Sequence, residues 1–172
     1  LQLPAFYQAK RDLFREGRDH DRNGCRTRAE VLLRDAIESP NVDEDCRLSD
    51  GLWWSAYDDR LIDAPQYLEV DHVVSLKEAW DSGAWTWTEV RREAFANDLG
   101  DARSLRAVTS SSNRSKGEAD PSNWLPDVGF VCEYLAGWVA IKARWGLSMD
   151  QSEWGRIRNV LQDDCPGQTV EP

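Results

Sequence analysis

The sequence predicts one α+β domain closed by disulfides, and three observations carry that expectation. Candidate strands and helices are grouped along the chain rather than alternating. At 172 residues the chain can bury a core of its own yet fits one domain, so residues 1–172 are read as a single unit. The four cysteines, Cys25, Cys46, Cys132 and Cys165, are widely spaced and contain no CxxC pair. That pattern suits structural disulfides in an exported protein better than a zinc knuckle or a redox motif. Four cysteines allow three pairings. Cys25–Cys46 with Cys132–Cys165 is favoured, because each pair brackets a predicted helix and keeps its loop local. The competing reading is four buried thiols in a cytosolic protein.

In chain order, Phe6, Ala9, Leu13 and Phe14 recur at helical spacing until Gly17 ends the pattern. Residues 29–38 read as a second helix, closed by the Ser39-Pro40 turn. Residues 1–50 thus form an N-terminal helical region. The aromatic stretch 51–59 suits a strand, with 66–74 as its partner after the Asp63-Ala64-Pro65 turn. A short helix follows at 76–83, stopped by Gly83, then a longer one at 88–98. Residues 104–110 are a brief strand, and 111–117 open a helical turn. Over 130–145, Val131, Leu135, Trp138, Val139, Lys142 and Trp145 follow the helical period. Ser148 with Gln151 reads as a capping box for a last helix facing inward through Trp154, Ile157 and Leu161, so 128–165 is helical.

Composition narrows the function classes. The longest uncharged apolar run of interest, Tyr134–Ile141, is far short of the roughly 20 residues that span a bilayer. No basic segment followed by an apolar one opens the chain, so any export signal is expected to have been removed. A net charge of −10 argues against holding nucleic acid by bulk electrostatics. Yet residues 91–116 carry Arg91, Arg92, Arg103, Arg106, Arg114 and Lys116 against Glu93, Asp98 and Asp101, a local excess of +3. Such a strip fits transient binding of a polyanion, and equally an ordinary solvated face. Nine tryptophans are expected mainly as packing, Trp80, Trp85 and Trp87 included.

One of only two histidines, His72, follows Asp71 at the end of an apolar run. Some forty residues later Asn113 and Lys116 stand in an N-x-x-K spacing. A carboxylate and an amide oxygen are hard ligands that suit Mg²⁺ or Mn²⁺ and leave positions for water and phosphate. A histidine beside that metal titrates near neutrality and can act as a base. By spacing alone, a lone Asp-His on a strand is more often structural.

The segments "VDHVVSLKEAWDSGAW", "REAFANDL" and "LRAVTSSSNRSKGEADPSNWLP", in this order, resemble secreted bacterial HNH-family endonucleases related to the C-terminal nuclease domain of GmrSD-type restriction systems. The resemblance covers roughly residues 19–165. It implies a ββα-metal core over 66–120 clasping one divalent cation. It further implies His72 as general base, Asp71 and Asn113 as metal ligands, and Lys116 facing phosphate. At the middle position the motif expects asparagine where this chain has Ser104 before Leu105; Asn97 is the substitute that would hold the histidine loop, or else simply a helix C-cap. Arg106 and Arg114 are candidate phosphate contacts, or solvated surface.

A second constellation is "DHDRNGCRTRAE", residues 19–30, which fits the calcium-loop pattern D-x-[DN]-x-[DN]-G-x₅-E. Asp19, Asp21 and Asn23 would give side-chain oxygens, Cys25 its carbonyl, Thr27 a direct or water-bridged contact, and Glu30 the closing carboxylate. Arg26 at the usually apolar bridging position, and the lack of a second loop, point to a structural Ca²⁺ rather than a sensor; an acidic turn before a capped helix is the alternative. His20 lies at a non-ligand position.

The leading expectation is a secreted, monomeric, Mg²⁺- or Mn²⁺-dependent endonuclease acting on DNA, with RNA as a second candidate substrate. With no helix-turn-helix, zinc finger or long basic arm, its sequence specificity should be low. The rivals are an extracellular calcium-binding interaction module with a vestigial HNH site, and a toxin-like nuclease effector with an immunity partner.

Overall fold

The computed structural model describes residues 10–170 and is mixed α and β. Much of the helix expected around Phe6 and Ala9 lies outside the described residues; a helical turn at 10–12 leads to Phe14, which is buried in the core. Helix α1 (Thr27–Asp35) starts two residues earlier than the periodicity indicates and ends sooner. Its last expected turn is instead strand β1 (Ala36–Glu38), since antiparallel pairing with β4 (Leu52–Ser55) sets Ala36 opposite Trp53. Between them, β2 (Asn41–Val42) and β3 (Leu48–Ser49) form a small hairpin.

The aromatic stretch 51–59 is only half strand. The Ser55 hydroxyl donates to Asp58 Oδ1 and Asp59 adopts φ 49°, so the chain reverses into β5 (Arg60–Ile62). β4 therefore pairs with β1 and β5, not with residues 66–74 as expected. That segment gives a 3₁₀ turn at Pro65–Tyr67 and β6 (Leu68–His72), whose partner is β7 (Leu105–Thr109), antiparallel from Leu68 opposite Thr109 to His72 opposite Leu105. Helices α2 (Leu76–Asp81) and α3 (Glu89–Ala96) fill the connection, and α4 (Ser110–Lys116) follows β7 directly. Three hydroxyls start these helices: Ser75, Thr88 and Thr109 accept the N–H groups of Glu78, Arg91 and Ser112, meeting donors that a helix start leaves open.

Helix α5 (Val131–Trp145) matches its predicted span. Helix α6 (Gln151–Asp163) does have a capping box, but it is Asp150 with Glu153; Ser148 instead donates its hydroxyl to the Ser82 carbonyl. The shift rotates the buried face to Glu153, Ile157 and Val160 and leaves Trp154 48% exposed.

Two apolar clusters result. The smaller joins Val31 and Leu32 of α1 to Trp53, Ile62, Leu68, Leu105 and Ala107, so α1 covers one face of the β6–β7 hairpin. The larger is built around Trp138, Tyr134 and Leu135 of α5 and takes in Val108 from the hairpin. Both expected disulfides are present, Cys25–Cys46 and Cys132–Cys165. Among the described residues no helix is long and apolar enough to cross a membrane.

Candidate active site

Side chains alternate across a strand, so β6 sends His72 and Val70 to one face of the hairpin and Asp71 and Glu69 to the other. His72 Nε2 lies 2.9 Å from the carbonyl oxygen of Ala96, at the end of α3, and its ring stacks on Phe95 from the same turn (centroids 6.5 Å, planes 17° apart). A carbonyl only accepts, so Nε2 carries the proton and, in the neutral ring, Nδ1 keeps the lone pair. Burial pushes the His72 pKa down, outweighing the upward pull of Glu16 and of the Ala96 bond. The ring is thus held neutral, in one tautomer, with one nitrogen able to take a proton.

Asp71 is 6% exposed and its carboxylate is closely held. The Tyr57 hydroxyl donates to Oδ2 at 2.6 Å, and the Lys116 ammonium sits 2.9 Å from Oδ1 while also donating to the His72 carbonyl at 2.9 Å. Burial first and the Asp71 charge second raise the Tyr57 pKa, which keeps that hydroxyl a donor. Lys116 is only 2% exposed, so it differs from the expectation that it faces phosphate. The N-x-x-K spacing puts Asn113 and Lys116 on one side of α4, and that side packs inward against β6. Lys116 neutralises a buried carboxylate instead.

Asn113 donates its amide nitrogen to Glu69 Oε2 at 2.7 Å, which leaves its amide oxygen available as a ligand, and Arg114 donates to Glu69 Oε1 at 3.1 Å. Burial would raise the Glu69 pKa, but the bonds from Asn113 and Arg114 outweigh it and hold the carboxyl below its usual value. Two adjoining clefts meet at these residues. One of ≈ 360 Å³ is walled by Arg11, Glu16, Arg28, Glu69, His72 and Asn113. The other, ≈ 210 Å³, shares His72 and Asn113 with it and adds Asp71, Arg114 and Glu118. The structure therefore brings Asp71, His72 and Asn113 to one cleft, with Arg114 at its edge.

Among the described residues no group of three or more His, Cys, Asp or Glu side chains is arranged to hold a metal ion. The donors at the cleft are two carboxylates, Asp71 and Glu69, and the Asn113 amide. This hard-oxygen set fits Mg²⁺ or Mn²⁺, which keep several waters when bound by few protein ligands. A carboxylate offers about four lone-pair positions, so Tyr57 and Lys116 leave Asp71 room for another partner.

Asn97 is the helix C-cap that its position permits, and its side chain bonds to neighbouring segments rather than to the strand that carries His72. Its backbone N–H caps α3 on the Glu93 carbonyl. Its buried side chain donates to the Arg15 and Glu93 carbonyls and accepts from the Arg18 N–H and the Thr27 hydroxyl. It thereby ties the turn carrying Ala96 to the 15–18 segment and to the start of α1. Ser104 gives separate support: its hydroxyl donates to Asp98, and its carbonyl accepts the Val73 N–H just past His72.

Arg106 lies elsewhere. It pairs with Glu133 at 2.7 Å, sits over the Phe130 ring and lines a different cleft, with Trp54 and Leu61. The rest of the 91–116 strip is likewise engaged: Arg91 with the Trp145 carbonyl, Arg92 with that of Trp87, Arg103 with Asp101, Arg114 with Glu69 and Lys116 with Asp71. Trp80 and Trp87 pack against the core, whereas Trp85 is 62% exposed.

In the 19–30 loop, Asp19, Asp21 and Asn23 accept the N–H groups of Gly24, Asn23 and Cys25 in turn. The Asn23 amide nitrogen bridges Asp21 and Glu30, and Asp19 Oδ1 is buried without a hydrogen-bond partner. Thr27 is turned away from the loop, its hydroxyl on Asn97 and the Arg18 carbonyl. Cys25, bonded to Cys46, keeps only its carbonyl for a ligand role.

The residues that sequence reasoning missed are Glu69, Tyr57, Phe95 and the Ala96 carbonyl. "EVDH" places Glu69 on the same strand face as Asp71, a period-two signal that was open to reading.

No solved structure matches the chain. A protein from the fungus Arthroderma benhamiae, described as an uncharacterized secreted protein, is 38% identical over 138 residues, covering 80% of this chain and 67% of its own. That relative is fungal, whereas the resemblance named bacterial proteins. The model of the family "GmrSD restriction endonucleases, C-terminal domain" matches residues 8–158, and the chain belongs to that family.

Proposed function

We propose that this protein is a secreted, metal-dependent endonuclease of the HNH type, hydrolysing phosphodiester bonds in DNA, and in RNA where it meets it, with low sequence specificity. Membership of a family described by its restriction endonucleases supports nuclease chemistry. Two disulfides and a relative described as secreted support export. The observation that carries the mechanism is the fixed tautomer of His72: Nε2 is held by the Ala96 carbonyl, which leaves Nδ1 as the base.

In this reading β6, β7 and α4 are the two strands and helix of the ββα unit. Asp71 and Asn113 hold the divalent cation, with Glu69 orienting the Asn113 amide so that its oxygen is the ligand. The bound cation supplies Lewis-acid stabilisation of the charge that develops on the phosphate. His72 takes the proton from the attacking water at Nδ1, while Phe95 and Ala96 stop the ring from turning away. Lys116 pairs with Asp71 and holds it in place from behind. A structural Ca²⁺ in the 19–30 loop is part of the same proposal, supported by the buried, unpaired Asp19 Oδ1.

Plasmid digestion with Mg²⁺, Mn²⁺ or EDTA tests this, comparing the native chain with His72→Ala and Asn113→Ala. Loss of a general base removes about 10²–10⁴ in rate. Full activity in His72→Ala would sink the mechanism and favour the calcium-binding module, which has no need of His72. Activity sensitive to EDTA but to neither substitution would move the metal elsewhere.

A further inference from the structure

Four of the six cations in the 91–116 strip, Arg103, Arg106, Arg114 and Lys116, are paired with carboxylates, so groups outside it are also needed to meet a polyanion. Beside the His72 clefts lies a third, of ≈ 450 Å³, walled by Arg26, Arg28, Ala29, Asp45, Arg47 and Gln66. Its side chains carry three positive charges against one negative, a net of +2, whereas the two His72 clefts pair their arginines with as many carboxylates. Among the described residues, Arg26 and Arg28 have no carboxylate within ion-pair distance. Arg28 is aimed by its hydrogen bonds: it donates to the Pro65 and Leu68 carbonyls at 3.0 Å each, which fixes the guanidinium, and Glu69 acts on its charge from the His72 side. Arg28 also walls the larger His72 cleft, so the two spaces share that residue as a common wall.

Backbone donors add to the side chains. Arg26 is the N-cap of the nine-residue α1 and gives no side-chain cap, and among the described residues the N–H groups of Arg28 and Ala29 meet no acceptor. The Cys25–Cys46 disulfide joins the two walls, so the 24–29 and 45–48 sides cannot drift apart.

We propose that this arginine cleft is a phosphate subsite for the nucleic-acid backbone, receiving the strand as it leaves the His72 cleft past Arg28. The inference rests on the nuclease reading for its ligand. A planar guanidinium fork and backbone N–H groups match phosphate oxygens and read no base, as low specificity requires. Asp45 opposes it from the cleft wall, where Arg47 faces Asp45 at 3.0 Å and Asp43 at 3.9 Å, and Glu69 acts on Arg28, so Arg26 is the least compensated of the three arginines.

The test is equilibrium binding of a fluorescein-labelled 30-mer duplex to the full chain in EDTA, between 50 and 200 mM salt, read by anisotropy. Arg26→Glu is the main variant, because Arg26 makes no side-chain contact on which folding depends. Arg158→Glu, an exposed site on α6, matches its change in net charge. Arg26→Glu should weaken binding about tenfold and lower the salt slope by about one, the loss expected for one phosphate contact. Arg158→Glu should stay within about twofold of the native chain by the same reasoning. Equal weakening in both variants, or native affinity and slope in Arg26→Glu, would overturn the subsite. The two readings fail separately: a chain that binds DNA through Arg26 yet never cuts it keeps the subsite and loses the nuclease, and a His72-dependent nuclease indifferent to Arg26→Glu does the reverse.

Discussion

Replacing Lys116 by methionine separates the two roles that N-x-x-K allows. If the ammonium met phosphate at the surface, the variant would bind substrate less well and fold as before. The structure instead buries Lys116 and Asp71 to 2% and 6% exposure, with Lys116 bonded to Asp71 and the His72 carbonyl. Methionine keeps the volume but strands the Asp71 carboxylate with only the Tyr57 hydroxyl. Removing one partner of a buried ion pair costs about 3–5 kcal/mol. At about 2–4 °C per kcal/mol for a domain of this size, the melting temperature should fall by about 6–20 °C. The assay is thermal and urea unfolding of the native chain, Lys116→Met, Asp71→Asn and the double variant. Coupling should appear as a double variant more stable than the two single losses imply, since it leaves no buried charge unpaired. A Lys116→Met loss below about 1 kcal/mol, the range of exposed pairs, would refute the burial argument.

Three further outcomes are expected. Cleavage needs neutral His72, and burial lowers its pKa, so kcat/KM should persist to more acidic pH than an ordinary histidine base allows; an acid limb at or above the usual histidine range counts against His72 as the base. Asn97→Ala removes the side-chain bonds to residues 15, 18, 27 and 93, so stability should fall by about 1–3 kcal/mol for a buried group left unpaired, and kcat should fall more than KM rises because the Ala96 carbonyl loses its support; an unchanged kcat would return Asn97 to a cap alone. Ca²⁺ should raise the melting temperature, and Asp21→Ala should abolish the rise; no shift in the native chain makes the 19–30 loop an acidic turn.

Legibility in the sequence followed how local each signal was. The cysteine pairing and α5 could be read from local spacing, whereas Asp71, His72 and Asn113 were brought together only by the resemblance, spacing alone favouring a structural Asp-His. The two-residue error at the α6 cap arose because Ser148 and Asp150 are both good N-cap residues, and a long-range bond to the Ser82 carbonyl decided between them. Strand partners were misassigned for the same kind of reason: "GLWWSAYDD" contains its own turn, but only pairing with β1 and β5 makes the turn the stable choice. Lys116 shows a different limit. Helical spacing says that two residues share a face and is silent on whether that face looks at solvent or at β6.

Charge counted along the chain left the 91–116 strip open, and the reason bears on how an acidic protein can engage nucleic acid. An excess of +3 over 91–116 counts neighbours in sequence, whereas a polyanion responds to charges that no nearby carboxylate cancels. In three dimensions that strip is divided among Glu133, Asp101, Glu69, Asp71 and backbone carbonyls. Arg26 and Arg28 sit instead in "DHDRNGCRTRAE", a segment whose three carboxylates balance its three arginines on paper. Folding sends those carboxylates into turn bonds around Gly24 and Asn23, and among the described residues neither guanidinium has a carboxylate within ion-pair distance, Glu69 acting on Arg28 from farther off. The same loop geometry that would suit a cation therefore also sorts the charges of α1, with carboxylates to one side and arginines toward the clefts. On this argument, removing the Cys25–Cys46 bond should harm nucleic-acid binding more than its distance from His72 implies, because it holds the arginine cleft and the acidic loop in that arrangement.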